Sequence, residues 1–326
     1  MTVSAWLAGR RPDPRLVAME TRTLGKTGPA LSVVGLGCNN FGMAIDRRQA
    51  AAVVHAALDA GITHFDSAEM YGGGQSEEML GAALGSRRDE AVIATKFLPR
   101  PAEERYEPGA LAARIRQGAE VSLRRLGTDR IDLYYQHMPD ADAPVDEALE
   151  ALDGLVRAGK VLHIASSNVS ADQIAAAASA AEARGWAVFA GTQIHWNLLT
   201  RDVEGDAVPA AEAAGLGIVP YFPLASGLLT GKYRRGRPFP PGTRLARNEP
   251  FAGGATDENF DRIEAYEAFA ADRGRTVTEL AVAWLLAQPA VASVIAGATR
   301  AEQVAANAAA ATWVLSADEA AAVAAL

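Results

Sequence analysis

The sequence predicts an α/β fold: a (β/α)8 TIM barrel in a single domain, with a small hairpin at its N-terminal edge. Three observations carry this. Strand-length apolar runs alternate eight times with segments of helical spacing, and strict alternation implies a parallel sheet with right-handed crossovers. No composition break divides the 326 residues, so one large domain fits better than two. Gly35-Leu36-Gly37-Cys38-Asn39-Asn40 has asparagine where a dinucleotide fingerprint needs its third glycine, which counts against a doubly wound sheet.

Residues 1–18 carry Arg10-Arg11 and then Pro12-Asp13-Pro14, with no apolar stretch of a secretory signal behind the arginines. They are expected to be a disordered tail, leaving 19–326 as the barrel domain and Met19 as an alternative start. Gly25, Lys26 and Gly28 supply the turn of the hairpin. Leu31 to Gly37 is an apolar strand, and Asp46 is placed to cap a helix running to Ala60. Strand and helix then alternate: Ile62 to Asp66 and a helix from Ser76, Ala91 to Lys96 and Pro108 to Leu126, Ile131 to His137 and Val145 to Ala158. Val161 to Ser167 precedes Ala171 to Arg184, and Gly191 to His195 precedes a helix near Val208 to Ala214. After strand Gly217 to Tyr221, the stretch Lys232 to Gly254 is rich in Arg, Pro and Gly without periodicity and reads as a long functional loop. Helices Asn259 to Asp272 and Val277 to Ala287 follow, then strand Ala292 to Ala296, helix Ala301 to Ala310 and a final helix capped by Ser316.

The net charge of −8 and pI near 5.3 argue against a general nucleic-acid or anionic-membrane binder. No apolar run is long enough to span a bilayer. The single cysteine, Cys38, excludes an intrachain disulfide framework and fits a reducing cytosol, so a cytoplasmic protein is expected.

In a barrel the C-terminal ends of the strands open into one mouth. Asp66, Lys96 and His137 each stand at such an end, and Tyr71 lies in the loop after Asp66. The set suits acid catalysis at a carbonyl. Lys96 would lower the phenol pKa of Tyr71, Asp66 would hold Lys96 charged, and His137 would hydrogen-bond the substrate oxygen while Tyr71 donates a proton. There is no metal cage: the five histidines lack His-Glu-x-x-His spacing. His64 and His195 point inward by alternation and read as hydrogen-bonded barrel filling. Cys38 reads as an inert thiol.

These residues resemble the aldo-keto reductases. The resemblance rests on Phe65-Asp66-Ser67-Ala68 with Tyr71-Gly72, Ala94-Thr95-Lys96, Leu133-Tyr134-Tyr135-Gln136-His137 and Ser166-Ser167-Asn168, in that order and on the expected elements. It runs from about Met19 to the end. It implies a tetrad of Tyr71, Lys96, Asp66 and His137 reducing an aldehyde or ketone with hydride from a nicotinamide cofactor. It also implies that Ser167, Asn168 and Gln193 bind the nicotinamide carboxamide, and that Tyr221 stacks on the ring with Leu224 in the same segment. Gly297, Thr299, Arg300, Gln303 and Asn307 would hold the adenosine phosphates. Arg300 opens a helix after the last strand, where free N–H groups bind phosphate, and its guanidinium can pair with a 2′-phosphate, which favours NADP(H). Trp196, Phe222 and Ala306 depart from the family, which often has tyrosine, serine and an acid there. The short loop after His137 and the short C-terminus count against large steroid-like substrates.

Two readings of another class stand beside this one. Lys96 inside a barrel can serve as a Schiff-base lysine. A cofactor-binding regulatory subunit, like the channel-associated β subunits that resemble the same family, would keep the site without turnover. The arginines 234, 235, 237, 244 and 247 form either a solvated loop or a cofactor clamp. Nothing in the sequence fixes an oligomeric state.

Overall fold

The computed structural model describes residues 19–99, 104–247 and 249–326; the expected tail, 1–18, lies outside them. Two antiparallel strands, β1 (Thr21–Thr23) and β2 (Ala30–Ser32), form the hairpin. Eight parallel strands follow: β3 (Val34–Gly37), β4 (His64–Asp66), β5 (Val92–Phe97), β6 (Ile131–Gln136), β7 (Val161–Ser167), β8 (Phe189–His195), β9 (Gly217–Tyr221) and β10 (Val294–Gly297). They are ordered β10-β3-β4-β5-β6-β7-β8-β9. The ring closes where Ile218 of β9 pairs with Val291, through Ile218 N to Ala290 O at 2.7 Å and Ala292 N to Ile218 O at 3.0 Å.

The helices pack outside. They are α1 (Arg47–Asp59), α2 (Gln75–Leu84), α3 (Ala110–Leu126), α4 (Val145–Arg157), α5 (Ala171–Arg184), α6 (Ala207–Ala214), α7 (Arg244–Arg247), α8 (Glu249–Ala252), α9 (Asp257–Ala271), α10 (Val277–Leu286), α11 (Ala301–Ala310) and α12 (Ala317–Ala324). Local chemistry starts several of them. Asp46, Ser170, Thr276 and Ser316 each form a capping box with the residue three positions on, satisfying N–H groups that a helix start leaves open.

The expected strand from Leu31 to Gly37 divides, because Ser32 ends an arm of the hairpin while Val34 begins the barrel. Its side chains show why. Leu24 and Leu31 are fully buried and pack with Ala190, Val219, Ala292 and Ile295 inside the barrel. The hairpin therefore plugs the N-terminal end of the ring. Gly25 and Gly217 make this approach possible: a Cβ on Gly217 would fall 2.4 Å from the Gly25 nitrogen.

The stretch 232–254 also differs from expectation. It holds α7 and α8, each too short to show a helical period, and it is tied down. Tyr233 is buried, its ring edge-on to Phe239 at 5.5 Å. Arg234 pairs with Glu267 at 2.6 Å, and Arg235 reaches Asp261 at 2.5 Å and Glu264 at 3.1 Å. Among the described residues no helix is long and apolar enough to cross a membrane.

Candidate active site

Three consecutive strands deliver the polar groups expected at the mouth. β4 ends on Asp66, and alternation along it turns His64 and Asp66 to the same side. Lys96 lies on β5 one residue before its end, and His137 follows β6 directly. Asp66 and Lys96 are both buried, with Lys96 Nζ donating to Asp66 Oδ2 at 2.6 Å and to the Ser67 carbonyl at 2.7 Å. A buried ion pair is tolerated only when its remaining hydrogen-bonding capacity is filled. The second carboxylate oxygen, Asp66 Oδ1, is filled by Gln193 Nε2 at 2.5 Å.

Tyr71 opens a 3-10 turn, Tyr71–Gly74, in which Gly72 and Gly73 adopt left-handed backbone. A Cβ on Gly72 would meet the Phe41 carbonyl at 2.8 Å, so the turn needs glycine there. The Lys96 ammonium lies 5.1 Å from the centroid of the Tyr71 ring. The His137 ring stands edge-on to Tyr71 at 6.0 Å and 83°. Asp66, Tyr71, Lys96 and His137 thus form one cluster.

Burial pushes the Lys96 pKa down, but Asp66 and Tyr71 outweigh it, and the net shift is upward. The amine stays an ammonium. Burial raises Tyr71, and Lys96 offsets only part of that rise. This corrects the expectation that Lys96 lowers the phenol below its ordinary value: desolvation wins, and the phenol keeps its proton at neutral pH. Burial, helped by Lys96, pushes His137 down to about 4, so its imidazole is neutral. Its Nδ1 is buried without a hydrogen-bond partner among the described residues. Burial raises the Cys38 thiol, which therefore stays protonated. Among the described residues no group of three or more His, Cys, Asp or Glu side chains is placed to hold a metal ion.

The residues expected at the nicotinamide end are also contiguous. Ser167 ends β7 and its hydroxyl donates to the Gln193 carbonyl at 3.2 Å. Asn168, at φ 58°, donates to the His137 carbonyl at 2.9 Å and to Ser167 Oγ at 3.0 Å. Tyr221 ends β9, and its hydroxyl donates to Asn168 Oδ1 at 2.7 Å. His195 stacks on the Tyr221 ring at 5.3 Å and 14°, so it is not a simple barrel filler. His64 is one: it is fully buried, with Nδ1 2.9 Å from Ser293 Oγ. Leu224 is half-buried at the start of a turn in which Ala225 and Ser226 have φ of 45° and 57°.

At the phosphate end, Gly297 is exposed and Thr299 gives both its N–H and its hydroxyl to Gln303 Oε1, at 2.7 and 3.0 Å. Arg300 precedes α11 without a side-chain cap on that helix, and its guanidinium is largely exposed, 3.7 Å from Glu302. Asn307 is buried on α11. An uncapped helix start beside an exposed guanidinium fits a phosphate. The chain thus presents a half-buried aromatic face at Tyr221 and an anion-suited end at Arg300.

Arg244 lies against the mouth residues Asn40 and Phe222, and no carboxylate pairs with it among the described residues. It stacks on Phe222 at 5.7 Å and Phe251 at 5.4 Å and reaches Asn40 Oδ1 at 3.5 Å. Burial lowers its pKa, as expected for a guanidinium without a counter-charge. Nothing in the residue pattern separates it from its neighbours. Glu77 and Arg125, behind Tyr71, were not anticipated either. Glu77 was hidden because a glutamate in the first turn of a helix is ordinarily solvated.

A sequence model of the aldo/keto reductase family matches residues 33–326. The chain is 34% identical over 298 residues to a probable voltage-gated potassium channel subunit beta of Oryza sativa subsp. japonica, covering 89% of this chain and 90% of that one. It is 36% identical over 296 residues to the uncharacterized oxidoreductase YrpG of Bacillus subtilis, covering 87% and 89%. It is 33% identical over 320 residues to the L-glyceraldehyde 3-phosphate reductase of Escherichia coli K12, covering 93% and 89%. With a matched span that takes in every strand of the barrel, the chain belongs to the aldo/keto reductase family, whose general chemistry is carbonyl reduction with NAD(P)H.

Proposed function

We propose that the protein is a cytosolic NADPH-dependent reductase that converts an aldehyde or ketone to an alcohol, with Tyr71 as proton donor. The observation that carries this reading is the buried Asp66–Lys96 pair set against the Tyr71 ring. The bound nicotinamide would supply hydride to the carbonyl carbon. Tyr71 then meets the oxygen as negative charge develops there and gives up its proton. The fixed ammonium of Lys96 makes the resulting phenolate less costly. Asp66 holds the ammonium in place, and neutral His137 offers a hydrogen bond to the same oxygen. Ser167, Asn168 and Gln193 would orient the carboxamide, Tyr221 and Leu224 would support the ring, and Gly297, Thr299, Arg300, Gln303 and Asn307 would hold the phosphate end.

The cluster also speaks against an imine-forming lysine. That chemistry needs a free amine, whereas Asp66 and Tyr71 hold Lys96 charged. A second reading has specific support: two relatives, from Oryza sativa and Arabidopsis thaliana, are probable potassium channel β subunits. A non-catalytic cofactor-binding subunit would bind NADPH tightly and turn over nothing. A panel of small aldehydes and ketones, followed by NADPH absorbance, separates the two. Steady consumption with at least one compound supports the reductase, and tight binding without consumption of any overturns it.

A further inference from the structure

Behind the Asp66–Lys96–Tyr71 cluster, on the helix side of the strands, runs a second chain of polar contacts. Thr95 precedes Lys96 on β5, and its hydroxyl donates to Glu77 Oε1 at 2.6 Å. Glu77 lies in the first turn of α2 and is fully buried. Its other oxygen, Oε2, faces Arg125 Nη1 at 3.3 Å. The same nitrogen donates to the Glu69 carbonyl at 3.3 Å. Arg125 also covers Gly74, where a Cβ would fall 2.3 Å from the guanidinium carbon. Arg125 therefore touches the segment bearing Tyr71 two residues before it and three residues after it. Glu69 is anchored a second time: its N–H donates to the Lys96 carbonyl at 3.1 Å, and its Oε1 accepts from the Leu98 N–H at 2.7 Å and pairs with Arg114 of α3.

A solvated brace would not bury a carboxylate completely. Burying Glu77 is costly unless its partners fill it, and those partners lead to the strand of Lys96 on one side and the turn of Tyr71 on the other. We infer that Thr95, Glu77 and Arg125 are positioning residues that fix the spacing between the Tyr71 phenol and the Lys96 ammonium. The inference rests on the reductase reading for its effect on turnover. This chain of contacts ends on the strand of Lys96 and the turn of Tyr71. It works by holding the turn: if the turn relaxes, Tyr71 moves away from the cation that makes its proton transferable.

Three substitutions test this. Glu77→Gln keeps a partner for Thr95 and removes the charge facing Arg125. Thr95→Val cuts the link to the lysine strand without altering charge. Arg125→Lys keeps the charge but loses the guanidinium fork. Each is expected to lower kcat about tenfold, with the KM for NADPH within about twofold of wild type, because about 1.4 kcal/mol in barrier is a factor of ten. The alkaline limb of the kcat profile should move to higher pH. The direction matters for Glu77→Gln, since losing a nearby negative charge by itself would pull the phenol pKa down. An upward move therefore reads displacement from Lys96.

Variants that melt earlier but keep wild-type kcat and the wild-type alkaline limb would overturn the inference and leave the chain as a brace of the fold alone. If Glu77→Gln does not fold, Thr95→Val and Arg125→Lys read the same quantities. If the wild type reduces no carbonyl compound, the reductase reading fails separately. NMR titration of ring-labelled tyrosine, with the Tyr71 signal assigned through Tyr71→Phe, then carries the test. An unchanged Tyr71 titration in all three variants would refute the positioning role.

Discussion

On the β4–β6 side of the mouth, the Lys96 and Asp66 side chains are 1% and 5% exposed and bonded to each other. On the β10 side, Arg300 leaves 66% of its side chain in solvent, 3.7 Å from a still more exposed Glu302. Between these extremes, Asn168 and Tyr221 are half-buried and satisfied by one another. The first region has its electrostatics in place before any ligand arrives, so nothing need reorganise when charge develops. Under the proposed reading, the second would exchange internal partners for cofactor atoms, and its affinity would be a difference between two sets of hydrogen bonds. Substitutions on the first side should therefore strike rate, and those on the second should strike binding.

The sharpest test of that division is Tyr71→Phe. It keeps the ring against Lys96 and removes the proton, so turnover should fall by about 10² or more while NADPH affinity survives. Stopped-flow turnover together with fluorescence titration of NADPH reads both. Wild-type turnover, with chemistry shown to be rate-limiting, would remove Tyr71 as donor.

Burial on the preorganised side also sets an acid limit. Burial pushes both His64 and His137 down to about 4 from an ordinary 6.5. Below about pH 6.5 the unfolded chain takes up protons that the folded chain refuses, so their contribution is complete above that pH and drains away as pH falls toward 4. Each histidine accounts for a few kcal/mol, on the order of 1.4 kcal/mol per pKa unit. Thermal melts at about pH 7 and pH 4.5 should show a marked drop for the wild type, and His64→Gln should lose part of that sensitivity. Parallel pH dependence in the two proteins would contradict a neutral buried His64.

On the exchangeable side, Arg300→Ala is expected to weaken NADPH by roughly tenfold, the low end for a charge-assisted hydrogen bond given the exposure of the guanidinium. NADH, lacking the 2′-phosphate, should change little. Equal losses for both cofactors would move the phosphate contact elsewhere, and Arg244 becomes the place to look, because Arg234 and Arg235 are already paired with carboxylates of α9. The smallest effect is expected at the outer part of that stretch. Hydrogen exchange over 245–255 should slow when NADPH binds, and deuterated NADPH should show little isotope effect on kcat if closure or product release limits turnover. An unprotected segment with a full isotope effect would leave it outside the cycle.

The same contrast decided how much could be read from the sequence. Strand ends in a parallel barrel share one mouth, so Asp66, Lys96 and His137 were placed together by rhythm alone, and the helix caps at Asp46 and Ser316 were legible from neighbouring residues. Contacts between distant residues of one type were not. Gln193 reads as a carboxamide ligand, yet its amide also completes the Asp66 carboxylate from 127 positions away. The burial of Glu77 depends on Thr95 and Arg125, which lie on other elements. Helices of four residues such as α7 and α8 leave no period to detect.

Leu24 and Leu31 fill the barrel from below with apolar side chains, a poor route for a proton to the Asp66–Lys96 pair. Under the reductase reading, a proton that Tyr71 surrenders would then be replaced through the opening by which substrate enters and alcohol leaves. Recharging the phenol would thus wait on departure of the product. A solvent deuterium effect should then appear on the step after product release, and it should shift to earlier steps when the lower seal is loosened by Leu31→Ala. The hairpin, far from the chemistry, would in this way set the order of traffic at the other end of the barrel.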